Sequence, residues 1–313
     1  MTTRPPLAID KTITLNINGA RQRIRFCAAR PELPPLLVVQ GGPALPLLHE
    51  VAKFQRLLNL ENDFLVAYWE QRGCGNASAH DAHSVSLAQQ IDDLRSVLRW
   101  LHGETRQRAL VLGISIGATI TLQTVEHEPD RVRAVIAVSP DAQTSASDAA
   151  AHTFLREQAL RADGSRVRRR IEALAPPPYV DPAPFQQRAR LLADLGTIER
   201  GKTFSALVRE MLFALVRTYG AAGGARAVRN VTVILRKLLP DIASVDLLAR
   251  PPRVTVPVHY VFGEQDALTP SSVVKQLPAA IAAPATKVVR LPNAGHMVHF
   301  DQPQIVRSIV EKA

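Results

Sequence analysis

The chain contains the stretch Ala109-Leu110-Val111-Leu112-Gly113-Ile114-Ser115-Ile116-Gly117, which decides its fold. An apolar run ends in Gly-x-Ser-x-Gly, and a stretch of helical character follows from Ala118. This order predicts a buried strand, a sharp turn and a helix, with the hydroxyl of Ser115 pointing out of the turn. Side chains at positions 113 and 117 would collide in so tight a turn, and glycine avoids the collision. The turn is therefore predicted to present a serine nucleophile.

A serine hydroxyl is a weak nucleophile, so it needs a base and an acid that orients the base. Both candidates follow strand-like runs: Asp266 comes after residues 258–262, and His296 comes after residues 287–291. The order Ser115, Asp266, His296 is the order found with this kind of turn. Because parallel strands end at one edge of a sheet, we expect the three side chains to lie together.

A glycine pair after an early strand predicts a site for a substrate oxygen. The apolar run at 36–40 ends in Gly41-Gly42-Pro43, where backbone N–H groups can approach a ligand closely. Pro43 has no N–H, so Gly42 is predicted as one donor. The second donor is Ile116, which follows the nucleophile and opens the helix. Three neighbours are predicted as weaker substrate contacts: Gln40, Gly41 and Ile114.

A second acid competes with Asp266. Asp141 follows the strand-like run at 134–138, where a carboxylate also reaches this edge of the sheet. Glu264 lies close to Asp266, but its place directly after Gly263 suits the turn itself. The sequence leaves Asp141 open as the alternative acid.

Three further residues near the predicted site are assigned structural roles. His299 lies three residues past His296, towards the following helix. Arg72 is expected to anchor its loop by pairing with a carboxylate such as Glu70. Cys74 lies in a Gly-rich loop, where a small buried thiol is expected rather than a nucleophile.

Strand and helix signals alternate on both sides of Ser115. Residues 10–30 alternate apolar and polar around Asn18-Gly19, which predicts an antiparallel hairpin. Apolar residues recur at helical spacing over 86–100, which predicts an amphipathic helix. The alternation indicates the α/β class, with a mostly parallel sheet flanked by helices. Strand-like runs are predicted at 36–40, 64–68, 108–112, 134–138, 258–262 and 287–291.

Between about residues 142 and 250 the strand signal stops. The region has helical character and is predicted to be broken at prolines 176–178, 182 and 184 and at the glycine pair 223–224. A helical insertion between two halves of a sheet is predicted to form a cap that supplies most of the substrate pocket. The predicted domains are a core of residues 1–141 and 251–313 and a cap of residues 142–250.

Composition excludes several classes of protein. Residues 1–11 contain charge and two prolines but no apolar stretch, so no secretory signal is expected. No apolar run approaches the roughly 18–20 residues that a membrane span needs. Cys27 and Cys74 lack the spacing of a disulfide framework or a metal site. We therefore expect a cytoplasmic protein that uses no metal ion and no cofactor.

The positive charge of the chain is uneven. The formal net charge is +10, and residues 142–250 hold 17 Lys and Arg against 10 Asp and Glu. A basic surface in this region would attract anionic substrates or a membrane surface. The alternative is that these charges form an ordinary solvated surface without a binding role. Zinc-finger spacing and aromatic RNA-binding motifs are absent from the sequence, so no specific nucleic-acid partner is predicted. The sequence leaves the oligomeric state open. The densest cluster is Arg166, Arg168, Arg169 and Arg170.

Together these motifs resemble the α/β-hydrolase superfamily, and more narrowly its proline iminopeptidase-like branch. That branch carries His-Gly-Gly-Pro-Gly and Asp-Gln-Arg-Gly-x-Gly, where this chain has Gln40-Gly41-Gly42-Pro43 and Glu70-Gln71-Arg72-Gly73-Cys74-Gly75. The resemblance covers about 1–141 and 251–313, and Pro176-Pro177-Pro178-Tyr179 is similar to a cap segment of some members. It implies the α/β-hydrolase fold, a triad and an oxyanion hole. The residues implied are Ser115, Asp266 and His296 for the triad and Gly42 and Ile116 for the oxyanion hole.

The chain also departs from that branch. Gln40 stands where members have His, and Ala44 where they have the last Gly. Ile114 and Ile116 stand where proline iminopeptidases have Gly and Trp. These changes leave hydrolase chemistry intact and argue against specificity for proline. We expect a serine hydrolase that cleaves a carboxylic ester, or a related acyl bond, of a small molecule through an acyl-enzyme on Ser115.

Two other functions stay open on the sequence alone. An aminopeptidase that releases N-terminal proline would need carboxylates in the cap for the free amine, and Glu199 and Glu210 are available. A ligand-binding protein that keeps the fold without turnover is the alternative from a different class. The complete set of triad residues speaks against it.

Overall fold

The computed structural model describes residues 6–78, 81, 84–161 and 166–313. Residues 1–5, which belong to the stretch used for the expectation about a secretory signal, lie outside the described residues, as do residues 162–165 of the predicted cap. The strands are β1 (Ile9–Ile17), β2 (Ala20–Ala28), β3 (Pro35–Val39), β4 (Leu65–Glu70), β5 (Ala109–Ile114), β6 (Val132–Val138), β7 (Val258–Gly263) and β8 (Thr286–Leu291). Within the described residues they form one eight-stranded sheet in the order β1-β2-β4-β3-β5-β6-β7-β8.

The sheet begins with the predicted antiparallel hairpin. β1 pairs with β2 along their full lengths. Asn18 and Gly19 form the turn with φ values of 47° and 81°, the left-handed backbone that a two-residue hairpin turn requires. β2 also pairs antiparallel with β4, so β2 is the strand that runs against its neighbours.

The remaining strands, β3 to β8, run parallel, as predicted for most of the sheet. Every residue of β3, β4 and β5 is buried. Alternate side chains of β3 enter two separate cores: Leu37 and Val39 pack in one, and Leu36 and Val38 in the other. Strands buried on both faces read as continuous apolar runs, which is why the sequence showed them so clearly.

Helices cover both faces of the sheet. The predicted amphipathic helix is α2, which begins after Ser86, whose Oγ accepts a hydrogen bond from Gln89 N at 3.1 Å. None of the helices in the described part of the chain is long and apolar enough to cross a membrane. The helices are α1 (Val51–Leu57), α2 (Leu87–Thr105), α3 (Ile116–Val125), α4 (Thr144–Arg161), α5 (Arg166–Glu172), α6 (Pro182–Asp194), α7 (Phe204–Ala243), α8 (Ser271–Val274), α9 (Leu277–Ala280), α10 (Val298–Asp301) and α11 (Pro303–Lys312).

Helices α4 to α7 lie between β6 and β7, and we call this part the insertion. The predicted break at glycines 223–224 is wrong. Both glycines are helical, and the backbone leaves helical geometry at Gly220, with φ 71° and ψ 171°. Gly223 serves close packing instead, because a Cβ there would lie 2.8 Å from Tyr219 Cβ. The domain boundaries themselves stay a prediction.

The insertion packs on the loops at the carboxyl ends of the strands. Tyr219 of α7 donates a hydrogen bond to Glu70 at the end of β4. Asn230 donates to the carbonyls of Gly75 and Ala77 at 3.2 and 3.1 Å. A third apolar cluster joins α4, α5 and α6 to Ala267, in the loop after β7. The insertion therefore covers the edge of the sheet where Ser115, Asp266 and His296 were predicted to meet.

Candidate active site

Ser115 lies in the turn between β5 and α3. Its φ and ψ are 53° and −127°, a left-handed conformation that residues other than glycine rarely adopt. Its backbone N–H donates a hydrogen bond to the carbonyl of Val138 on β6 at 2.8 Å. The neighbouring strand thus holds the strained turn in place, at the carboxyl edge of the sheet.

Both glycines of the motif are required. A Cβ at Gly113 would lie 2.6 Å from Ala118 Cα on α3. A Cβ at Gly117 would lie 2.1 Å from the carbonyl oxygen of Gln40. The nearest obstacles are therefore α3 and the end of β3 rather than the partner glycine. The close approach at Gly117 brings the loop after β3 against the nucleophile.

His296 connects Ser115 to Asp266. Its Nε2 lies 2.9 Å from Ser115 Oγ, and its Nδ1 lies 2.8 Å from Asp266 Oδ2. The exposed fractions of Ser115, Asp266 and His296 are 7%, 4% and 3%. A carboxylate only accepts hydrogen bonds, so the ring proton belongs on Nδ1 and Nε2 is left to accept the serine hydroxyl. The three predicted residues form one buried hydrogen-bonded chain.

The carboxylate of Asp266 is held by its own loop. Oδ1 accepts backbone N–H groups of Leu268 and Thr269 at 2.8 and 2.9 Å. Oδ2 accepts the hydroxyl of Thr269 at 2.7 Å in addition to the imidazole. These bonds fix the direction in which the carboxylate meets His296.

Thr269 is a residue that the sequence reasoning missed. Its hydroxyl also lies 3.2 Å from His296 Nδ1 and 3.3 Å from the carbonyl of Ser139. A signal was available in the sequence. An Asp commonly accepts the N–H groups two and three residues later, and a Thr at the third position can add its hydroxyl.

The two predicted oxyanion donors come from segments in contact with each other. Gly42 follows β3 with φ 71°, and a Cβ there would lie 2.6 Å from Leu45 Cδ1. Ile116 is the first residue of α3, so its N–H has no acceptor within the helix. The loop after β3 touches Gly117, so the segments that carry Gly42 and Ile116 are in contact. Their role as oxyanion donors stays a prediction.

The three weaker predicted contacts differ from one another. The Gln40 amide donates to the carbonyl of Leu45 and accepts from Gln71 N at 3.4 Å. It is therefore engaged within the loop rather than free for a substrate. Gly41 and Ile114 pack together, because a Cβ at position 41 would lie 2.9 Å from Ile114 Cγ2.

Asp141, the alternative acid, makes other contacts. Its Oδ2 accepts the hydroxyl of Thr144 at 2.8 Å, and its Oδ1 accepts that of Ser147 at 3.4 Å. Burial raises the pKa of Asp141, and these hydroxyl groups oppose the rise. The imidazole is bonded to Asp266 instead. Glu264 is exposed in the turn, as predicted.

His299 and Cys74 are buried in the positions expected of structural residues. The His299 ring stacks on Phe54, with the ring centres 5.3 Å apart. Burial lowers the pKa of His299 well below its ordinary value and raises the pKa of Cys74 to about 12. Burial therefore disfavours both the imidazolium form of His299 and the thiolate form of Cys74. Among the described residues, no group of three His, Cys, Asp or Glu side chains is placed to hold a metal ion.

Arg72 anchors its loop, but the predicted partner was wrong. Its guanidinium binds both carboxylate oxygens of Asp93 on α2 at 2.8 Å. It also donates to the carbonyls of Ile17 and Asn18 in the first hairpin. Arg72 extends beneath that hairpin, where these acceptors lie. Glu70 pairs with Arg23 of β2 instead.

The two carboxylates considered for an amine are already paired. Glu199 is buried and forms ion pairs with Lys53 of α1 at 2.6 Å and with Lys202 at 2.9 Å. Glu210 is exposed and also pairs with Lys202. Neither presents an uncompensated negative charge to a substrate.

The fold and the site agree with comparisons to known proteins. A family model described as alpha/beta hydrolase fold matches residues 34–303. The probable aminopeptidase YbaC of Bacillus subtilis (strain 168) is 22% identical over 304 residues, which cover 95% of this chain and 94% of that protein. The similarity to YbaC therefore extends along nearly the whole length of both chains.

Two examples among the solved structures illustrate the shared fold. A proline iminopeptidase from Mycobacterium smegmatis has a TM-score of 0.66 at 19% identity, covering 96% of this chain and 97% of that one. The esterase EaEST from Exiguobacterium antarcticum has a TM-score of 0.63 at 16% identity, covering 96% and 99%. The α/β-hydrolase fold that the resemblance implied is confirmed by the family model and by these matches. With the family model spanning most of its length, the chain belongs to the α/β-hydrolase family and is a hydrolase of that fold.

Proposed function

We propose that this protein is a serine hydrolase that cleaves a carboxylic ester, or a related acyl bond, of a small molecule. The observation that carries the proposal is the hydrogen-bonded chain from Ser115 Oγ through His296 to Asp266, at 2.9 and 2.8 Å. This connectivity activates a hydroxyl that is otherwise a poor nucleophile.

In the first half of the reaction, Ser115 Oγ attacks the carbonyl carbon and its proton passes to His296 Nε2. The carbonyl oxygen becomes an oxyanion, which accepts hydrogen bonds from the N–H groups of Gly42 and Ile116. The bond to the leaving alcohol then breaks, and the alcohol takes the proton from His296. The acyl group remains on Ser115.

In the second half, a water molecule attacks the acyl carbon while His296 takes its proton. The tetrahedral intermediate uses the same two N–H groups, and its collapse returns the proton to Ser115 and releases the acid. Asp266 keeps the imidazole in the required tautomer and stabilises the imidazolium that forms in each half. His296 therefore mediates every proton transfer, and Gly42 and Ile116 serve the oxyanion.

The charges around the site favour an ester over an N-terminal amine. Glu199 and Glu210, the carboxylates considered for an amine, are neutralised by Lys53 and Lys202. Ile116 adds an apolar side chain beside the nucleophile. An aminopeptidase is the second candidate, because YbaC, 22% identical to this chain, is named a probable aminopeptidase.

The proposal is tested with a fluorophosphonate probe, which reacts with activated serines. We expect one labelled site, Ser115, located by mass spectrometry of the digested adduct, and no labelling of Ser115→Ala. Heat-denatured protein is the control for non-specific reaction. Labelling at another serine would refute Ser115 as the nucleophile. No labelling of the folded protein would refute the proposal and favour the ligand-binding alternative.

A further inference from the structure

The loop that carries His296 is bound to the insertion through the backbone. His296 N donates to the carbonyl of Thr197 at 2.9 Å, and Met297 N donates to the carbonyl of Ile198 at 2.7 Å. Both carbonyls lie in the segment between α6 and α7. The backbone at His296 is therefore held by the insertion as well as by the end of its own strand.

Asp301, the last residue of α10, joins the same two segments from another direction. Its Oδ2 accepts the N–H of Gly295 at 2.8 Å, directly before His296. Its Oδ1 accepts the N–H of Arg200 at 2.9 Å, two residues after Ile198. One carboxylate thus receives one backbone N–H from each segment. We call residues 197–200 and 295–297, together with Asp301, the histidine clamp.

The two segments of the histidine clamp are in direct contact. A Cβ at Gly295 would lie 2.5 Å from the carbonyl oxygen of Thr197, so only glycine allows this approach. The Thr197 hydroxyl donates to the carbonyl of Leu192 at 3.0 Å, which fixes the segment to α6. A shift of one segment therefore displaces the other.

We propose that Asp301 is a positioning residue for His296, and that the insertion sets the orientation of the imidazole through the histidine clamp. The inference rests on the proposed function, in which His296 is the base. Asp301 acts through the backbone of Gly295, since the hydrogen bonds that its carboxylate accepts come from the N–H groups of Gly295 and Arg200.

A carboxylate is suited to this position because both of its partners are donors. An asparagine has one acceptor oxygen, so it satisfies one N–H and turns its own N–H₂ towards the other. Burial raises the pKa of Asp301, and the hydrogen bonds from Gly295 and Arg200 oppose the rise by favouring the ionised form. Loss of the negative charge therefore weakens both hydrogen bonds that Asp301 accepts, from Gly295 N and from Arg200 N.

The test compares Asp301→Asn and Asp301→Ala with the wild type. The readouts are the second-order rate of fluorophosphonate labelling at Ser115, kcat per labelled site and KM for a short-chain aryl ester. We expect labelling rate and kcat to fall about 10- to 100-fold, with KM within about threefold, because misplacing a catalytic group by about 1 Å costs up to about 10²-fold. The alanine variant loses both acceptors and should be the slower one.

Asp194→Asn is the matched control. Asp194 also accepts a backbone N–H within the insertion, from Phe204 at 3.1 Å, and pairs with Arg170 at 2.9 Å. It lies outside the histidine clamp, so its asparagine variant should lose stability without losing kcat per labelled site. A structural role for Asp301 would make the Asp301 and Asp194 variants behave alike.

Thr197→Val gives a second, independent test if the Asp301 variants do not fold. It removes the hydroxyl that fixes the segment to Leu192 and keeps the size of the side chain. We expect kcat per labelled site to fall several-fold. Wild-type values for kcat and labelling in the folded variants would overturn the inference. An unlabelled wild type would instead refute the proposed function, so the two failures are distinguishable.

Discussion

Asp266 contacts the imidazole of His296, whereas Asp141 is bonded to other residues. Replacing each aspartate in turn shows which of them supports catalysis. Both carboxylates follow parallel strands, which made both of them candidates for the acid in the sequence. Only geometry distinguishes them: Asp266 Oδ2 is 2.8 Å from the ring, while the Asp141 oxygens are engaged by Thr144 and Ser147.

We expect Asp266→Asn to leave the protein folded and to lower kcat on the order of 10⁴-fold, the loss known for the same change in a serine protease triad. The amide favours the wrong tautomer of His296, so Nε2 no longer accepts the serine proton. Steady-state kinetics with an aryl ester measures the loss. Asp141→Asn is the control and should keep kcat within a few-fold of wild type; the reverse pattern would show that Asp141 is the acid.

The order of chemical groups along the chain was enough to predict that Ser115, Asp266 and His296 lie together, because each follows a strand. Side chains that reach them from elsewhere were not predictable. Arg72 binds Asp93, 21 residues away, and not its near neighbour Glu70. The partner of a long side chain depends on the path of the chain in space, which local patterns do not contain.

At the scale of elements, the junction of β5, α3 and the loop after β3 leaves no room for a side chain at Gly117. We expect Gly117→Ala to lower the free energy of unfolding by about 1–3 kcal/mol or more, since the added Cβ would lie 2.1 Å from the backbone oxygen of Gln40. Urea unfolding of the purified variant measures the change. Activity should fall as well, because the shifted loop carries Gly42.

Gly103→Ala is the matched control for this prediction. Gly103 lies within α2, and a Cβ there would meet nothing within 4 Å. The same substitution should therefore stabilise the protein by about 0.5–1 kcal/mol, the ordinary advantage of alanine over glycine in a helix. Equal destabilisation by both variants would mean that the close approach at Gly117 is not the cause.

The strands and the first hairpin were predictable as elements because their patterns are local. The positions at which helices of the insertion are interrupted were harder to predict. Gly220 and Gly223-Gly224 look alike in the sequence, yet one reverses the chain and the pair allows close packing inside a helix. Glycine allows a positive φ and also allows close contact, and the sequence does not say which of the two is used.

At the scale of the whole molecule, the net charge of +10 opposes a cationic substrate. The two acidic groups considered for an amine, Glu199 and Glu210, are paired with lysines, so neither of them reverses that balance. We expect kcat/KM for a short-chain aryl ester to exceed that for a proline aryl amide by at least about 10²-fold, or about 2.7 kcal/mol in transition-state free energy. Both substrates are measured on one preparation.

An N-terminally acetylated proline amide is the control, because it lacks the cationic amine and separates charge from bond type. Comparable rates for ester and free proline amide would contradict the prediction. A preference for the proline amide that Glu199→Gln or Glu210→Gln removes would assign the protein to the aminopeptidases instead.

The adjacent pairing of β6 with β7 has a consequence for synthesis. Val135 is paired with Val258, so the centre of the sheet closes only after the whole insertion has been made. Ser115 emerges from the ribosome long before Asp266 and His296. Pairing strands that lie so far apart in the sequence slows folding. Its effect on stability is small, because the entropy cost of closing the loop grows only with the logarithm of the loop length. A nascent or C-terminally truncated chain therefore carries an inert serine, and the appearance of activity reports that the last strand has been made and has joined the sheet.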